Sequence, residues 1–536
     1  MEKRLNTSTG TQSFRIMRTK SMIYVDKTAF IAEMIDSGKR IFFLSRPRRF
    51  GKSLTVSTLE SLFLGRKELF RGLRVESRLD EEEFGPRPVI RLDMSKLTTT
   101  QGVEGFEKSL CLSTAIAAKS LGIELPSDYS SNDLFNLLLI NCYEKYNSSA
   151  AILIDEYDSP VTKLSDKPDE ADFVRKILRE YYMQIKANDD LLSFVFVTGI
   201  TKFVRGGLYS VFNNPSDISL RPEYGAITGF TLEEIERCYD EQLKEAALIN
   251  KKPLKTLLDD INNFYNGFCF DGTTYVYNPY STLLFLDTKM FDNFWFDSGT
   301  SGQLISYLNE NNLTFEQFRG AEIDRAKILS PKWDGDEDPE IYLYQAGYLS
   351  LRPGPSDYEF RLDYPNTEVK MSISRLLVES FLGSDKNART MRYNVVSALS
   401  NSDPSLLVNE INILLSALPG EHYKIEKRNE GFYCSKIFIL FYILGLDPLA
   451  EKSGNLGVAD FIINFGGRSW IIEVKMSPDE KHNIILANAA LKQIKEKNYA
   501  GAYRDTVRLG LVIEDEKRAV TWWECEGGSK KNGGEN

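Results

Sequence analysis

The run Arg40-Ile41-Phe42-Phe43-Leu44-Ser45-Arg46-Pro47-Arg48-Arg49-Phe50-Gly51-Lys52-Ser53-Leu54 constrains the fold of this chain more than any other feature. It opens as a short apolar strand and turns through a basic segment containing Pro47. It closes on Gly51-Lys52-Ser53, at the start of a helix with Val56, Leu59, Leu62 and Phe63 on one face. Strand, loop, Gly-Lys-Ser and helix together are the setting of a phosphate-binding loop. Backbone N–H groups at the helix start point at the phosphates, and the helix dipole favours the anion. Arg48, Arg49, Phe50, Gly51, Lys52, Ser53 and Leu54 are the expected nucleotide-binding residues. Lys52 would reach the β- and γ-phosphates, and the Ser53 hydroxyl would bind Mg²⁺. The full pattern begins with a glycine five residues before Gly51, and here that position is Arg46.

Apolar runs and helical stretches alternate through the first 230 residues. The runs Ile41–Ser45, Val89–Asp93, Ala150–Asp155, Leu192–Thr198 and Ala226–Phe230 read as strands, and 104–122, 131–147 and 169–187 as helices. Ala151-Ile152-Leu153-Ile154 and Phe194-Val195-Phe196-Val197 are apolar at every position. Such runs suit strands buried on both faces of a parallel sheet, so a three-layer α/β domain is expected. The third run ends Asp155-Glu156-Tyr157-Asp158, and acidic groups at a strand's carboxyl end face the ligand crevice. Asp155 is expected on Mg²⁺ and Glu156 on the attacking water. Thr198, at the tip of the next strand, is either a γ-phosphate sensor or a simple cap.

Composition then limits the chemistry. The chain has 536 residues, enough for about three domains, and a net charge of −10, so it is no basic nucleic-acid binder as a whole. Its two histidines, His422 and His482, leave catalysis to carboxylates, lysines and metal ions. Six scattered cysteines without a Cys-x-x-Cys pair, and no apolar run of membrane-spanning length, point to a cytoplasmic protein without a membrane partner.

Arg46-Pro47-Arg48-Arg49-Phe50-Gly51-Lys52-Ser53, with Tyr24-Val25-Asp26-Lys27-Thr28 before it and Leu153-Ile154-Asp155-Glu156-Tyr157-Asp158 after it, resembles the predicted AAA-ATPase-like proteins of bacteria and archaea. In that family arginine stands in place of the leading glycine. The resemblance implies ATP as cofactor and an extra strand between the loop strand and the acidic strand. It supplies no assured arginine finger, and Arg205 is one candidate. It extends over Phe264–Phe268, Tyr277–Ser281, Leu343–Leu349 and Tyr364–Val369 of a middle region, 231–420. There Thr231 reads as a helix cap, and 341–351 with 358–363 as a hairpin in a helical lid with a winged-helix-like module. Asp334–Asp338 lacks the spacing of a calcium loop.

The last region, 421–528, is explicit. Gly457–Phe465 and Arg468–Lys475 read as strands around a Gly466-Gly467 turn. With that turn Phe465 pairs with Arg468, Asp460 lands opposite Glu473, and Lys475 shares the face of Glu473. Two facing carboxylates repel, and a divalent ion between Asp460 and Glu473 would remove that cost. With Lys475 steadying developing charge, this is an apparatus for phosphodiester hydrolysis. Asp460…Glu473-Val474-Lys475 resembles the PD-(D/E)XK nuclease core. That resemblance implies Glu430 as a further metal ligand and matches Leu491–Ile494 and Tyr499. Val458 stands where the family commonly has arginine. The tail, 529–536, reads as disordered.

The expected protein is thus a P-loop ATPase joined through the middle region to an α/β PD-(D/E)XK domain that uses Mg²⁺ on nucleic acid, DNA ahead of RNA. Assembly into a homo-oligomer is an open expectation. The alternative is a STAND-like ATP-driven signalling switch whose nuclease-like domain only binds a partner. A third is an ATPase that holds nucleotide without turning it over.

Overall fold

The computed structural model describes residues 10–164, 167–202, 211–212, 215–295, 320–329, 339–356, 358–373, 385–417, 430–444, 446, 448–450, 460–496, 505–527 and 532–534. They fall into two compact units, Met1–Val369 and Lys370–Asn536. Arg205, Val458, Tyr499 and the acidic segment 334–338 lie outside the described residues.

The first unit is built on a parallel sheet of β1 (Ile41–Ser45), β2 (Val89–Asp93), β3 (Ala150–Asp155), β4 (Leu192–Gly199) and β5 (Ser216–Asp217), in the order β2-β3-β4-β1-β5. β4 is the extra strand between the loop strand and the acidic strand. Alternation along the strands makes two cores. Phe43, Ile152, Ile154, Val195 and Val197 face the helices Gly102–Ser120, Ser131–Tyr146 and Pro168–Ala187. Phe42, Leu44, Leu153, Phe194 and Phe196 face the helix Lys52–Phe63. These are the three layers expected of strands apolar at every position.

The fifth expected strand is not in this sheet. Gly229, at φ +83°, turns the chain out of extended geometry, and Phe230 exchanges both backbone hydrogen bonds with Tyr277 instead. The sheet edge is taken by Ser216-Asp217, two polar residues that no hydrophobic pattern marks. In the middle region, β6 (Phe268–Cys269) pairs with β7 (Tyr275–Val276). A three-stranded antiparallel sheet runs β8 (Glu322–Asp324), β10 (Glu359–Asp363), β9 (Ser350–Pro353). The hairpin is therefore shorter than expected: Pro339–Ala346 is a helix, and only Ser350–Pro353 extends.

Thr231 caps the helix Leu232–Cys238 with a full capping box: its hydroxyl accepts the Glu234 N–H at 3.3 Å, and Glu234 accepts the Thr231 N–H at 2.8 Å. Glu234 also holds Lys27 at 2.6 Å, which pins the N-terminal segment to this helix. Thr231→Ala is expected to cost about 1 kcal/mol, read as a lower urea midpoint at unchanged slope.

The second unit carries a mixed sheet in the order β11 (Leu449–Ala450), β12 (Phe461–Phe465), β13 (Arg468–Ser477), β14 (Thr506–Glu514), β15 (Ala519–Glu526), β16 (Asn532–Gly534). Only β13 and β14 are parallel. Phe461, Ile463, Trp470, Ile472 and Val474 lie in one core. The helices Asp385–Asn401 and Pro404–Ala417, placed with the middle region by the sequence reading, contribute Val395, Leu399, Leu407 and Ile411 to that same core. In the tail, expected to be disordered, Asn532–Gly534 pairs with Trp522–Glu524.

Candidate functional sites: the phosphate loop and the acidic hairpin

Arg46 explains how the loop forms without its leading glycine. The guanidinium is turned inward and is 1% exposed. It donates to the Ser45 and Ser219 carbonyls at 2.9 and 2.7 Å and to that of Tyr224 at 3.4 Å. It lies 4.3 Å from the centre of the Phe270 ring. Burial lowers its pKa to about 10, so it remains a cation near neutrality. Arg46 is thus a strut between the loop, the segment after β5 and the middle region, and its crowding is resolved by leaving the loop interior.

Gly51 (φ +90°) and Arg49 (φ +68°) supply the left-handed turns of the loop. Lys52 arches back over it, donating to the Arg46 and Pro47 carbonyls at 2.9 Å each. Burial pulls its pKa down, against the charges of Glu156 and Asp155. Ser53 lies close enough to Asp155 to favour its charged form, but burial outweighs that and raises the Asp155 pKa. Its Oδ1 is buried without a hydrogen-bond partner. Glu156 follows at φ +51°, its pKa raised by burial first and by Asp155 and Asp158, with Lys52 opposing. The fold therefore brings Lys52, Ser53, Asp155 and Glu156 together.

The remaining loop residues have different surroundings. Arg48 is close enough to act electrostatically on Lys52 and Glu156. Arg49 stacks on Tyr280 at 4.5 Å. Phe50 is buried edge-on against Phe268 and Phe270, at 4.8 and 5.3 Å, and Leu54 packs on the helix-side core. Thr198 lies within β4, and its buried hydroxyl donates to the Leu44 carbonyl of β1 at 2.9 Å. Sequence reasoning passed over Asp158, whose signal was a second aspartate three residues after Asp155.

In the second unit the hairpin has the expected register, with Phe465 opposite Arg468, the ladder closing at Phe461–Ile472, and Gly466 and Gly467 both at positive φ. Asp460 and Glu473 follow one step beyond. The face they share is not solvent-exposed: Leu491 and Ile494 cover it against Ile462 and Ile471, and Glu473 is 1% exposed. Lys475 Nζ lies 3.0 Å from Glu473 and 3.3 Å from Glu430. Burial would lower its pKa, but the two carboxylates outweigh that and raise it. Asp460 accepts the Val474 N–H at 2.7 Å; its pKa is raised, chiefly by burial. Gln493 donates to Glu473.

Among the described residues, no three His, Cys, Asp or Glu side chains converge closely enough to hold a metal ion. At the hairpin the Lys475 ammonium sits between the carboxylates of Glu473 and Glu430. The donor set is nonetheless hard and anionic, which suits Mg²⁺ or Mn²⁺. At the phosphate loop the unpartnered Oδ1 of Asp155 next to the Ser53 hydroxyl fits Mg²⁺. No described helix is long and apolar enough to cross a membrane.

Comparison with known proteins gives four findings. A family model described as Predicted AAA-ATPase matches residues 8–209. One described as PD-(D/E)XK nuclease superfamily matches residues 428–523. An uncharacterized protein in the vnfD 5' region of Azotobacter chroococcum mcd 1 is 31% identical over 531 residues, covering 96% of this chain and 98% of that protein. Among solved structures, the Aeropyrum pernix ORC1 protein in complex with DNA aligns over 67% of this chain and 92% of its own, at 11% identity and a TM-score of 0.26, too weak a likeness to carry an argument.

Proposed function

Because this chain belongs to the AAA-ATPase-like family with a C-terminal PD-(D/E)XK nuclease superfamily domain, we propose that it hydrolyses ATP and uses that cycle to control metal-dependent cleavage of nucleic-acid phosphodiesters in the cytoplasm. The observation that carries the reading is the buried, unpartnered Oδ1 of Asp155, in a group with Ser53, Lys52 and Glu156.

In this reading Ser53 and Asp155 hold Mg²⁺, which neutralises charge on the β- and γ-phosphates when bound. Lys52 exchanges the Arg46 and Pro47 carbonyls for phosphate oxygens. Glu156 accepts a proton from the attacking water; its raised pKa brings it closer to neutrality, where a base works best. In the second unit Asp460, Glu473 and Glu430 hold the divalent ion, which polarises the scissile phosphate when bound. Lys475 then passes from its carboxylate partners to the charge developing in the transition state. Carboxylate and lysine chemistry suffices, as a chain with two histidines requires.

The test is cleavage of a mixed set of DNA and RNA substrates with Mg²⁺ or Mn²⁺, with and without ATP, for wild type, Asp460→Ala and Lys52→Ala. The expected result is metal-dependent cutting that Asp460→Ala abolishes and Lys52→Ala uncouples from ATP. ATP hydrolysis with no cutting of any substrate would sink the nuclease half and leave a signalling switch.

A further inference from the structure

Asp158 plays no part in the mechanism above, yet it is among the most tightly held groups of the first unit. Its carboxylate is buried, and Oδ2 accepts three donors: the N–H of Ile200 at 3.0 Å, the N–H of Thr201 at 2.7 Å and the Thr201 hydroxyl at 2.7 Å. Tyr157 adds its own N–H to the Thr198 carbonyl and its hydroxyl to the Thr201 carbonyl, each at 3.0 Å. The contact leaves no room at Gly199, where a Cβ would come within 2.4 Å of Asp158 Oδ1 and 2.6 Å of the Tyr157 ring. The turn after β3 and the turn after β4 are therefore one clamped body.

Glu156 lies between the last residue of β3 and this clamp, at φ +51°. A residue with a side chain is strained there and stays only when its surroundings impose the conformation. On one side it is fixed by the ladder of β3, where Asp93 pairs with Asp155. On the other it is fixed by the grip of Tyr157 and Asp158 on 198–201. Asp158 also adds negative charge to the field at Glu156 and Lys52.

We infer that Asp158 is a positioning residue for ATP hydrolysis: by binding the turn at Ile200 and Thr201 it holds the Glu156 backbone in its left-handed conformation, and so keeps that carboxylate beside Lys52. The inference rests on Glu156 being the group that activates water. Asp158 acts through Glu156, so its loss lowers turnover without loosening nucleotide. The strain it maintains sets the size of the effect.

The experiment is a double-mutant cycle in the full chain. ATP hydrolysis, affinity for a fluorescent ATP analogue and amide exchange over 199–202 are measured for wild type, Asp158→Ala, Glu156→Gln and the double variant. Asp158→Ala is expected to lower hydrolysis by about tenfold to a hundredfold. It is also expected to speed exchange at Ile200 and Thr201 and to leave analogue affinity within about twofold. In the Glu156→Gln background it adds nothing further. Asp158→Asn, which keeps an acceptor oxygen, restores most of the rate. Effects that multiply in the double variant, or a loss of affinity equal to the loss of rate, overturn the inference. If Asp158→Ala does not fold, Thr201→Val takes its place in the same cycle with a severalfold effect, since it removes one of the three donors. Wild-type hydrolysis by Glu156→Gln would refute the role of Glu156 itself. Impaired Glu156→Gln with multiplying effects would refute only the role of Asp158.

Discussion

Lys475→Ala is expected to lower metal-dependent cleavage by about 10²- to 10³-fold and, at the same time, to tighten the binding of Mn²⁺. The first effect is that of removing one fixed positive group from a developing oxyanion. The second follows from the ground state. The Lys475 ammonium is the counter-ion of Glu430 and Glu473, at 3.3 and 3.0 Å, and it also acts on Asp460. Its removal leaves the buried Glu473 without its ammonium, with the partly exposed Glu430 and Asp460 of like charge nearby. That is the situation a divalent ion relieves most, because each unpaired buried charge is costly. Calorimetric titration with Mn²⁺ measures the second effect without reference to activity. Cleavage that survives Lys475→Ala would remove this residue from the mechanism. Weaker Mn²⁺ binding would show that the ammonium does not compete for the same carboxylates.

Much of this molecule is legible in its sequence, for identifiable reasons. Strands apolar at every position can only lie between two layers, which is why the order of segments revealed the three-layer core. The Gly466-Gly467 turn fixed the register of the hairpin, because a side-chain period of two leaves no freedom once the turn is set. The failures have equally local causes. Ala226–Phe230 has the composition of a strand, but Gly229 turns it away to bridge Tyr277. Ser216-Asp217 has no strand composition and is a strand because the edge of β1 offers it partners. In 341–346, alternation and helical spacing overlap over too few residues to be told apart, and Pro339 at the first helical position decides it.

The sites show the same division. Which residues meet at the phosphate loop and the hairpin was readable, because the strand–loop–helix order and the Gly466-Gly467 turn place them. Their present partners were not, since these come from distant segments. Arg46 is a strut only because the carbonyls of Ser219 and Tyr224 and the Phe270 ring close around it. The short motifs of the middle region likewise acquire a physical meaning only in the fold. Phe268 packs on Phe50, Tyr280 on Arg49, and Gly347 leaves space for Pro47. Each ties one residue of the loop to a different element, so a change in loop shape must be felt by all of them.

The last of those motifs, Tyr364–Val369, leads to the second large effect: Glu368→Gln is expected to stabilise the protein at pH 8.5 by several kcal/mol and to flatten its loss of stability above pH 5. Glu368 is buried, with Oε1 accepting the Trp295 N–H at 2.8 Å. Burial raises its pKa from 4.5 to about 8, against the Trp295 N–H and the nearby polar groups of Ser281 and Phe294, which favour the charged form. In the native state it therefore keeps its proton at neutral pH, whereas in the unfolded chain it loses it near 4.5. Between those values the native state binds more protons, so stability falls as pH rises through the window. Below about 4.5 both states are protonated and nothing is lost; above about 8 the loss is complete. The gap corresponds to roughly 5 kcal/mol at most. The segment at stake holds the middle region together. Arg352 donates to the Tyr364 and Pro365 carbonyls at 2.9 and 3.2 Å, and Asn366 to that of Asn266 at 2.8 Å. The glutamine amide is neutral at every pH and matches the protonated carboxyl in shape. Urea midpoints at pH 5, 7 and 8.5 for both proteins measure the difference. Curves that fall in parallel would show that Glu368 is already ionised in the native state, held by the Trp295 N–H and its polar surroundings against the cost of burial.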